Sequence, residues 1–297
     1  MRSHRTCSTS FPGVATARRH PYDLGHDAQS PVIDPQQMMW STAALRALEP
    51  AHIEPGEILY AFVSVAGEPS PADVDLLDVA ERDRASRFVH AADRDRFILA
   101  HSALRSLLGH CLGVDPAVLY ESGFGGKPRL SPAPAPLEFN LSHSRDLALI
   151  ALARDRAIGV DVEHMRTLPD AMLIAETHFS ETERELLASL PEGEQQAGFF
   201  RCWTRKEAVV KATGAGLGHP LDTVEVSLSA ESTSEVTLYA GPEGREEGIS
   251  LRDLPAPAGY AAAAAAVNPD DAPLRWRDLA SESQGWRLDA ESHGHKL

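Results

Sequence analysis

Positions 158 to 163 read Ile-Gly-Val-Asp-Val-Glu, with Ile158, Val160 and Val162 alternating against Gly159, Asp161 and Glu163. A period of two marks a strand, whose successive side chains point to opposite faces. One face is therefore apolar, and the other carries two carboxylates that repel each other unless a cation sits between them. A second segment, 199 to 212, reads Phe-Phe-Arg-Cys-Trp-Thr-Arg-Lys-Glu-Ala-Val-Val-Lys-Ala and is followed by Gly214, Gly216 and Gly218. It reads as a helix on which Trp203, Glu207 and Lys211 recur every fourth residue along one side. Any fold must place this strand and this helix, and with them three acids and an ammonium.

The chain holds 28 basic residues, of which only Lys127, Lys206, Lys211 and Lys296 are lysines. Where positive charge is otherwise written as arginine, a retained lysine points to a compact point charge. Three oxygen ligands beside a lysine suit Mg²⁺, which keeps several waters and shares its remaining positions with substrate phosphates. Each feature also has a plain structural reading. Two acids near a strand end can simply be solvated, and Glu207 with Lys211 is a common helix-stabilising pair.

Taken together, Gly-Val-Asp-Val-Glu at 159 to 163 and Trp-Thr-Arg-Lys-Glu-Ala-Val-Val-Lys-Ala at 203 to 212 resemble the two signature motifs of the 4′-phosphopantetheinyl transferases. Further matches follow in that family's order: Arg-Phe-Val-His at 87 to 90, Gly-Lys-Pro at 126 to 128, Asn-Leu-Ser-His-Ser at 140 to 144 and Phe-Ser-Glu-Thr-Glu at 179 to 183. The resemblance runs over residues 55 to 268. Its layout is similar to the long, surfactin-synthetase-activating type rather than to the short trimeric holo-acyl-carrier-protein synthases.

The resemblance implies an α+β fold of two similar halves related by a pseudo-twofold, with coenzyme A and Mg²⁺ in the cleft between them. It implies Asp161, Glu163 and Glu207 as metal ligands. Lys211 neutralises charge on the phosphate, and Glu207, directly or through a metal-bound water, is the first choice of base. Coenzyme A contacts are expected from Arg84, Arg87, Arg96, Lys127, Ser142, His143 and Lys206. Arginine forks suit a 3′-phosphate, although Glu81, Asp83, Asp93 and Asp95 interleave with them and could pair with them on exposed helix faces. Glu81 stands where related proteins often have a basic residue. The implied reaction is transfer of the phosphopantetheine arm to a serine of an apo acyl or peptidyl carrier protein, releasing 3′,5′-ADP, as in enzymes of the holo-[acyl-carrier-protein] synthase class. The carrier could belong to a peptide, polyketide or fatty-acid synthase.

Composition agrees with such an enzyme. A chain of 297 residues, 43 % of them hydrophobic, can bury a substantial core in one large or two small domains. Cys7, Cys111 and Cys202 form no Cys-x-x-Cys spacing, so neither a disulfide framework nor a zinc site is indicated, and a reducing cytoplasm fits. No apolar run approaches a membrane span, and a formal charge of −15 argues against a general nucleic-acid binder. Because the carrier proteins of this reaction are commonly acidic, docking has to use a local basic or apolar patch. A monomer is expected.

The expected organisation is an extension over 1–52, a first, coenzyme A-binding half over 53–156, a second, metal-binding half over 157–269, and a polar tail over 270–297. Residues 1–37 show no hydrophobic period, and Met38 or Met39 could equally be the start of translation. Strands are expected at Ile58 to Val65, Leu147 to Ala153 and Ile158 to Glu163, then at 222 to 229, 234 to 240 and 259 to 267. Helices are expected over Pro71 to Phe88, Arg94 to Leu112, from a Ser180/Glu183 capping box to Leu190, and over 195 to 213. Residues 259 to 267 include six alanines, but Pro255, Pro257, Gly259 and Pro269 leave a helix too little length. Ser142 and His143, adjacent on an extended segment, point apart and do not make a nucleophile and base. Gly125 to Pro128 lacks the glycine spacing and hydroxyl of a Walker loop.

Overall fold

The computed structural model describes residues 39–48, 52–115, 120–122, 128–130, 137–216, 218–230, 248–268 and 272–281. Lys127, residues 1–37 and the strand expected at 234 to 240 lie outside the described residues.

The chain opens with β1 (Met39–Trp40) and α1 (Thr42–Arg46), followed by β2 (Glu57–Ser64). A helical layer of α2 (Pro71–Leu76), α3 (Val79–Ser86) and α4 (Ala91–Leu112) comes next. A short antiparallel pair, β3 (Tyr120–Ser122) and β4 (Pro128–Leu130), precedes β5 (Leu137–Ser144) and β6 (Leu147–Arg154). The second half runs through β7 (Ile158–His164), α5 (Ala171–His178), α6 (Glu181–Ser189), α7 (Glu192–Thr213), β8 (Ile249–Asp253) and β9 (Tyr260–Val267), and β10 (Arg275–Asp278) returns to the first sheet. This is an α+β architecture.

The same strand order occurs twice. In the first half β6 lies between β2 and β5, and in the second β9 lies between β7 and β8, with antiparallel neighbours throughout. In each, the first strand is followed by the helical layer and the last strand takes the centre. Alternation then sorts the side chains into three clusters. Leu59, Ala61 and Val63 of β2 meet α1 and α4, whereas Ile58, Tyr60 and Phe62 face the second sheet and share a cluster with Ile158, Val160 and Val162 of β7. The far face of the second sheet packs on α7 through Ala263, Ala265 and Val209. The alanine run is therefore a strand with small side chains on both faces, Ala262, Ala264 and Ala266 toward the first sheet and Ala263 and Ala265 toward α7.

Several elements differ from expectation. The helix expected over Pro71 to Phe88 is two, because Ser70 and Asp78 each close a capping box, with Asp73 and Glu81 respectively, and Leu77 between them is extended. Residues 222 to 229 are not a strand but a 3₁₀ turn at Leu221–Thr223 and an unpaired extended run. Its backbone is hydrogen-bonded by side chains instead. Lys206 donates to the carbonyls of Leu221 and Val224, Arg201 to Leu228, Arg205 to Ser227 and Ser229, and the Val226 amide donates to Glu183. Val224, Val226 and Leu228 are buried, which produces the strand-like alternation. The strand that pairs with β9 is Ile249–Asp253. Residues 39–48 and 274–281 also join the fold: β1 and β10 add parallel to the same edge of β2, Leu45 is fully buried against α4, and Leu279 lies in the same core.

Candidate active site

β7 lies against α7 so closely that a Cβ on Gly159 would sit 2.2 Å from the Ala208 carbonyl oxygen and the Ala212 amide nitrogen. This approach carries the acidic face of β7 onto the side of α7 that bears Lys211. Asp161 is 4 % exposed. Its Oδ1 accepts from Lys211 Nζ at 2.6 Å and from Ser142 Oγ at 2.9 Å, and Lys211 Nζ also reaches Ser142 Oγ at 3.2 Å. Its Oδ2 is buried with no hydrogen-bond partner among the described residues. One strand from each half and one helix thus supply a carboxylate, a hydroxyl and an ammonium in mutual contact.

Glu163, two residues on, accepts from Ser144 Oγ at 2.7 Å. Burial raises its pKa above the ordinary carboxylate value; the Ser144 hydroxyl opposes this and the Asp161 charge adds to it. Burial raises Glu207 likewise, with Lys211 opposing and the charges of Asp161 and Glu163 adding. The three acids feel one another, as carboxylates around a cation site do. Among the described residues no three His, Cys, Asp or Glu side chains close on a single point as a metal cage. Mg²⁺ does not require one: it is held through one or two carboxylates with water and phosphate oxygens. The buried, unmet Oδ2 of Asp161 and the mutually destabilised Glu163 and Glu207 fit that cation.

Trp203, one turn before Glu207, stacks on Phe199 at 6.0 Å and meets the His178 ring edge-on at 5.5 Å. With Glu207, Val210, His219 and Asp222 it lines a cavity of about 280 Å³. Two members of the stripe, Trp203 and Glu207, thus line one cavity, whereas the third, Lys211, is held at Asp161 and Ser142.

The expected coenzyme contacts divide. His143 opens to solvent on the side of β5 opposite Ser142. The surrounding protein and then the charges of His101, Lys211, Arg84 and Arg96 push its pKa down. His101, Lys211, Arg84 and Arg96 thus lie near His143, and His101 is the member of this group that no sequence motif marks. Arg84 lies over the Phe97 ring at 5.1 Å, and Arg96 forks onto Asp146 at 2.9 and 3.0 Å. Arg96 also pairs with Asp93 at 3.2 Å, and Arg87 likewise pairs with an acid, Asp83, at 3.0 Å on an exposed helix face. Glu81 is buried, accepting from Arg105 at 2.7 Å and contacting His101 at 2.8 Å, so the acid at this position does structural work.

Lys206 corrects the sequence reading. Fully buried, it pairs with Glu183 at 2.5 Å and donates to two carbonyls, which leaves its ammonium no route to a ligand. It stands one residue off the Trp203, Glu207 and Lys211 stripe, about 100° around the helix. Asn140 and Ser144 alternate with Ser142 along β5, which is the signal that the sequence carries for them.

Comparison with known proteins agrees with this geometry. A family model described as the 4′-phosphopantetheinyl transferase superfamily matches residues 157–265, from the turn before β7 almost to the end of β9. A 4′-phosphopantetheinyl transferase of Bacillus subtilis is 32 % identical over 194 residues, covering 64 % of this chain and 82 % of that protein. The chain belongs to the 4′-phosphopantetheinyl transferase superfamily. Within it, the chain is 44 % identical to 4′-phosphopantetheinyl transferase HetI of Nostoc sp. over 152 residues, half of this chain and 64 % of HetI. Similarity to 4′-phosphopantetheinyl transferase Sfp of Bacillus subtilis strain 168 is lower, 27 %, but spans 213 residues and 92 % of that transferase. No helix among the described residues is long and apolar enough to cross a membrane.

Proposed function

We propose that this phosphopantetheinyl transferase homologue moves the 4′-phosphopantetheine arm of coenzyme A onto a serine hydroxyl of an apo carrier protein, with Mg²⁺ and with release of 3′,5′-ADP, as a soluble cytoplasmic monomer of the holo-[acyl-carrier-protein] synthase class. The observation that carries this reading is the contact of Asp161, Ser142 and Lys211 at the junction of two similarly connected halves, beside the His143 surface. The repeated strand order supports a twofold relation between the halves, with the cleft between them as the site.

Asp161, Glu163 and Glu207 would hold the cation, which supplies Lewis-acid stabilisation of pyrophosphate oxygens when bound. His143, Arg84 and Arg96 would receive the nucleotide phosphates. Lys211 lies where negative charge grows as the bond between the β-phosphorus and the bridging oxygen breaks and the carrier serine oxygen bonds to that phosphorus. Glu207 would accept the serine proton. A non-catalytic carrier-binding homologue is the weaker reading, because a buried carboxylate oxygen without a donor costs stability and serves no docking purpose. Incubation with coenzyme A, Mg²⁺ and separate apo peptidyl and acyl carrier domains tests the proposal. Each accepted carrier gains the mass of the phosphopantetheine arm with an equal yield of 3′,5′-ADP, and failure with every carrier tried would reject it.

A further inference from the structure

β5 and β7 are facing edge strands of different sheets, and side chains stand in for a backbone ladder between them. The amide of Val160 donates to Asn140 Oδ1 at 2.8 Å, that of Val162 to Ser142 Oγ at 3.4 Å, and that of His164 to Ser144 Oγ at 3.1 Å. The spacing of two on both strands gives three rungs in register. The two serine rungs also act in the other direction: having accepted from β7, each hydroxyl directs its proton to the acid one residue earlier, Ser142 to Asp161 and Ser144 to Glu163. A hydroxyl has one proton, and the backbone amide fixes which way it points.

Each serine therefore occupies one oxygen of its carboxylate and leaves the other. For Asp161 the remaining oxygen is the buried, unmet Oδ2. For Glu163 it is Oε1, which meets no donor among the described residues. Without Ser144 the longer glutamate side chain would be free to rotate away from Asp161, whose charge repels it.

We propose that Ser144 is a positioning residue for cation binding, holding Glu163 through one oxygen so that the other is presented beside Asp161. The inference rests on the reading of Asp161, Glu163 and Glu207 as cation-binding carboxylates. Ser144 serves the test better than Ser142, which also touches Lys211. Outer partners of this kind typically contribute 10- to 100-fold in metal affinity.

The test is titration of the coenzyme A complex with Mg²⁺ by calorimetry, alongside thermal unfolding without cation. Ser144→Ala should weaken Mg²⁺ by about 10-fold or more, with coenzyme A affinity in the absence of cation unchanged and the melting temperature lowered only as far as loss of the His164 rung requires. The KM for Mg²⁺ should rise while kcat at saturating Mg²⁺ returns toward wild type. Ser144→Thr, which keeps the hydroxyl and suits a strand, should restore affinity. If the alanine variant precipitates, Ser144→Cys, of similar shape but a weaker donor, is read in the same way. Wild-type Mg²⁺ affinity in the alanine or cysteine variant, or no recovery in the threonine variant, would overturn the role of Ser144 alone. Failure of the unmodified protein to take up Mg²⁺ at all would overturn the cation site and this inference with it.

Discussion

Side-chain chemistry at single positions decides what each charged residue can do. Lys206 and Lys211 lie five positions apart on α7 with opposite fates, one sealed against Glu183 and two carbonyls and the other partly exposed at Asp161. Lys206→Ala would strand the Glu183 carboxylate in the core, costing about 3–5 kcal/mol in urea unfolding; a variant of native stability that has lost only coenzyme A affinity would contradict this. The arginines separate similarly, so Arg84→Ala should raise the KM for coenzyme A more than that for 3′-dephospho-coenzyme A, whereas Arg87→Ala should change neither. Glu207 links function to pH. Its pKa is raised in the folded state, so the native protein keeps a proton that the unfolded chain releases, and stability without cation declines as pH rises from the ordinary glutamate value of 4.5 through the raised one. Transfer needs the ionised form, which a bound cation favours, so it should fall only where acid protonates the carboxylates in competition with the cation. Glu207→Gln should therefore abolish transfer yet raise the melting temperature of the metal-free protein at neutral pH, and a lowered melting temperature would show that the carboxylate is not strained. The acids, Lys211 and His143 were legible because motif and period agree. The direction of Lys206 was not, since neighbouring helix positions look alike until the angle between them is considered.

Among the elements, legibility followed the number of partners a pattern leaves possible. β7 and α7 were found because alternation and fourfold recurrence are unambiguous, and their contact explains why the residue before Val160 is glycine. Gly159→Ala would drive a methyl group into the backbone of α7, which cannot yield as a side-chain tip could. A loss of about 1–3 kcal/mol or more in denaturant unfolding is expected, with transfer reduced because Asp161 and Lys211 move apart; native stability in this variant would show that α7 has room to shift. The run from 222 to 229 misled for a physical reason. Val224, Val226 and Leu228 alternate as a strand does, yet the groups that satisfy its backbone are arginine, lysine and glutamate side chains distant in sequence, which local pattern cannot reveal. The break at Leu77 was foreseeable, since Asp78 and Glu81 have capping-box spacing inside the segment read as one helix.

Across the molecule, two sheets of like connectivity meet face to face, and the site forms where β5 of one and β7 of the other run side by side. The ends of the described chain reinforce the first sheet, β1 and β10 completing the outer edge of β2. β1, α1 and β10 were not legible in the sequence because elements of two, five and four residues are too short to show a period. Leu45, fully buried in that helix, should cost about 2–5 kcal/mol when replaced by alanine; an unaltered unfolding midpoint would show that residues 39–48 are dispensable. The net charge of −15 leaves attraction of an acidic carrier to local basic or apolar patches, and binding should weaken as salt is added. The central claim is that the acids of β7 and α7 and Lys211 form one cation-assisted transfer centre. Its most direct measurement is the mass of an apo carrier domain after incubation with coenzyme A and the unmodified protein, with Mg²⁺ or with EDTA, and with Asp161→Ala or Glu207→Ala in its place. The account predicts a carrier heavier by the phosphopantetheine arm for the unmodified protein with Mg²⁺ and not with EDTA, and rates at least about 100-fold lower in either variant. Equal conversion in EDTA, or wild-type rates in either variant at saturating Mg²⁺, would contradict it.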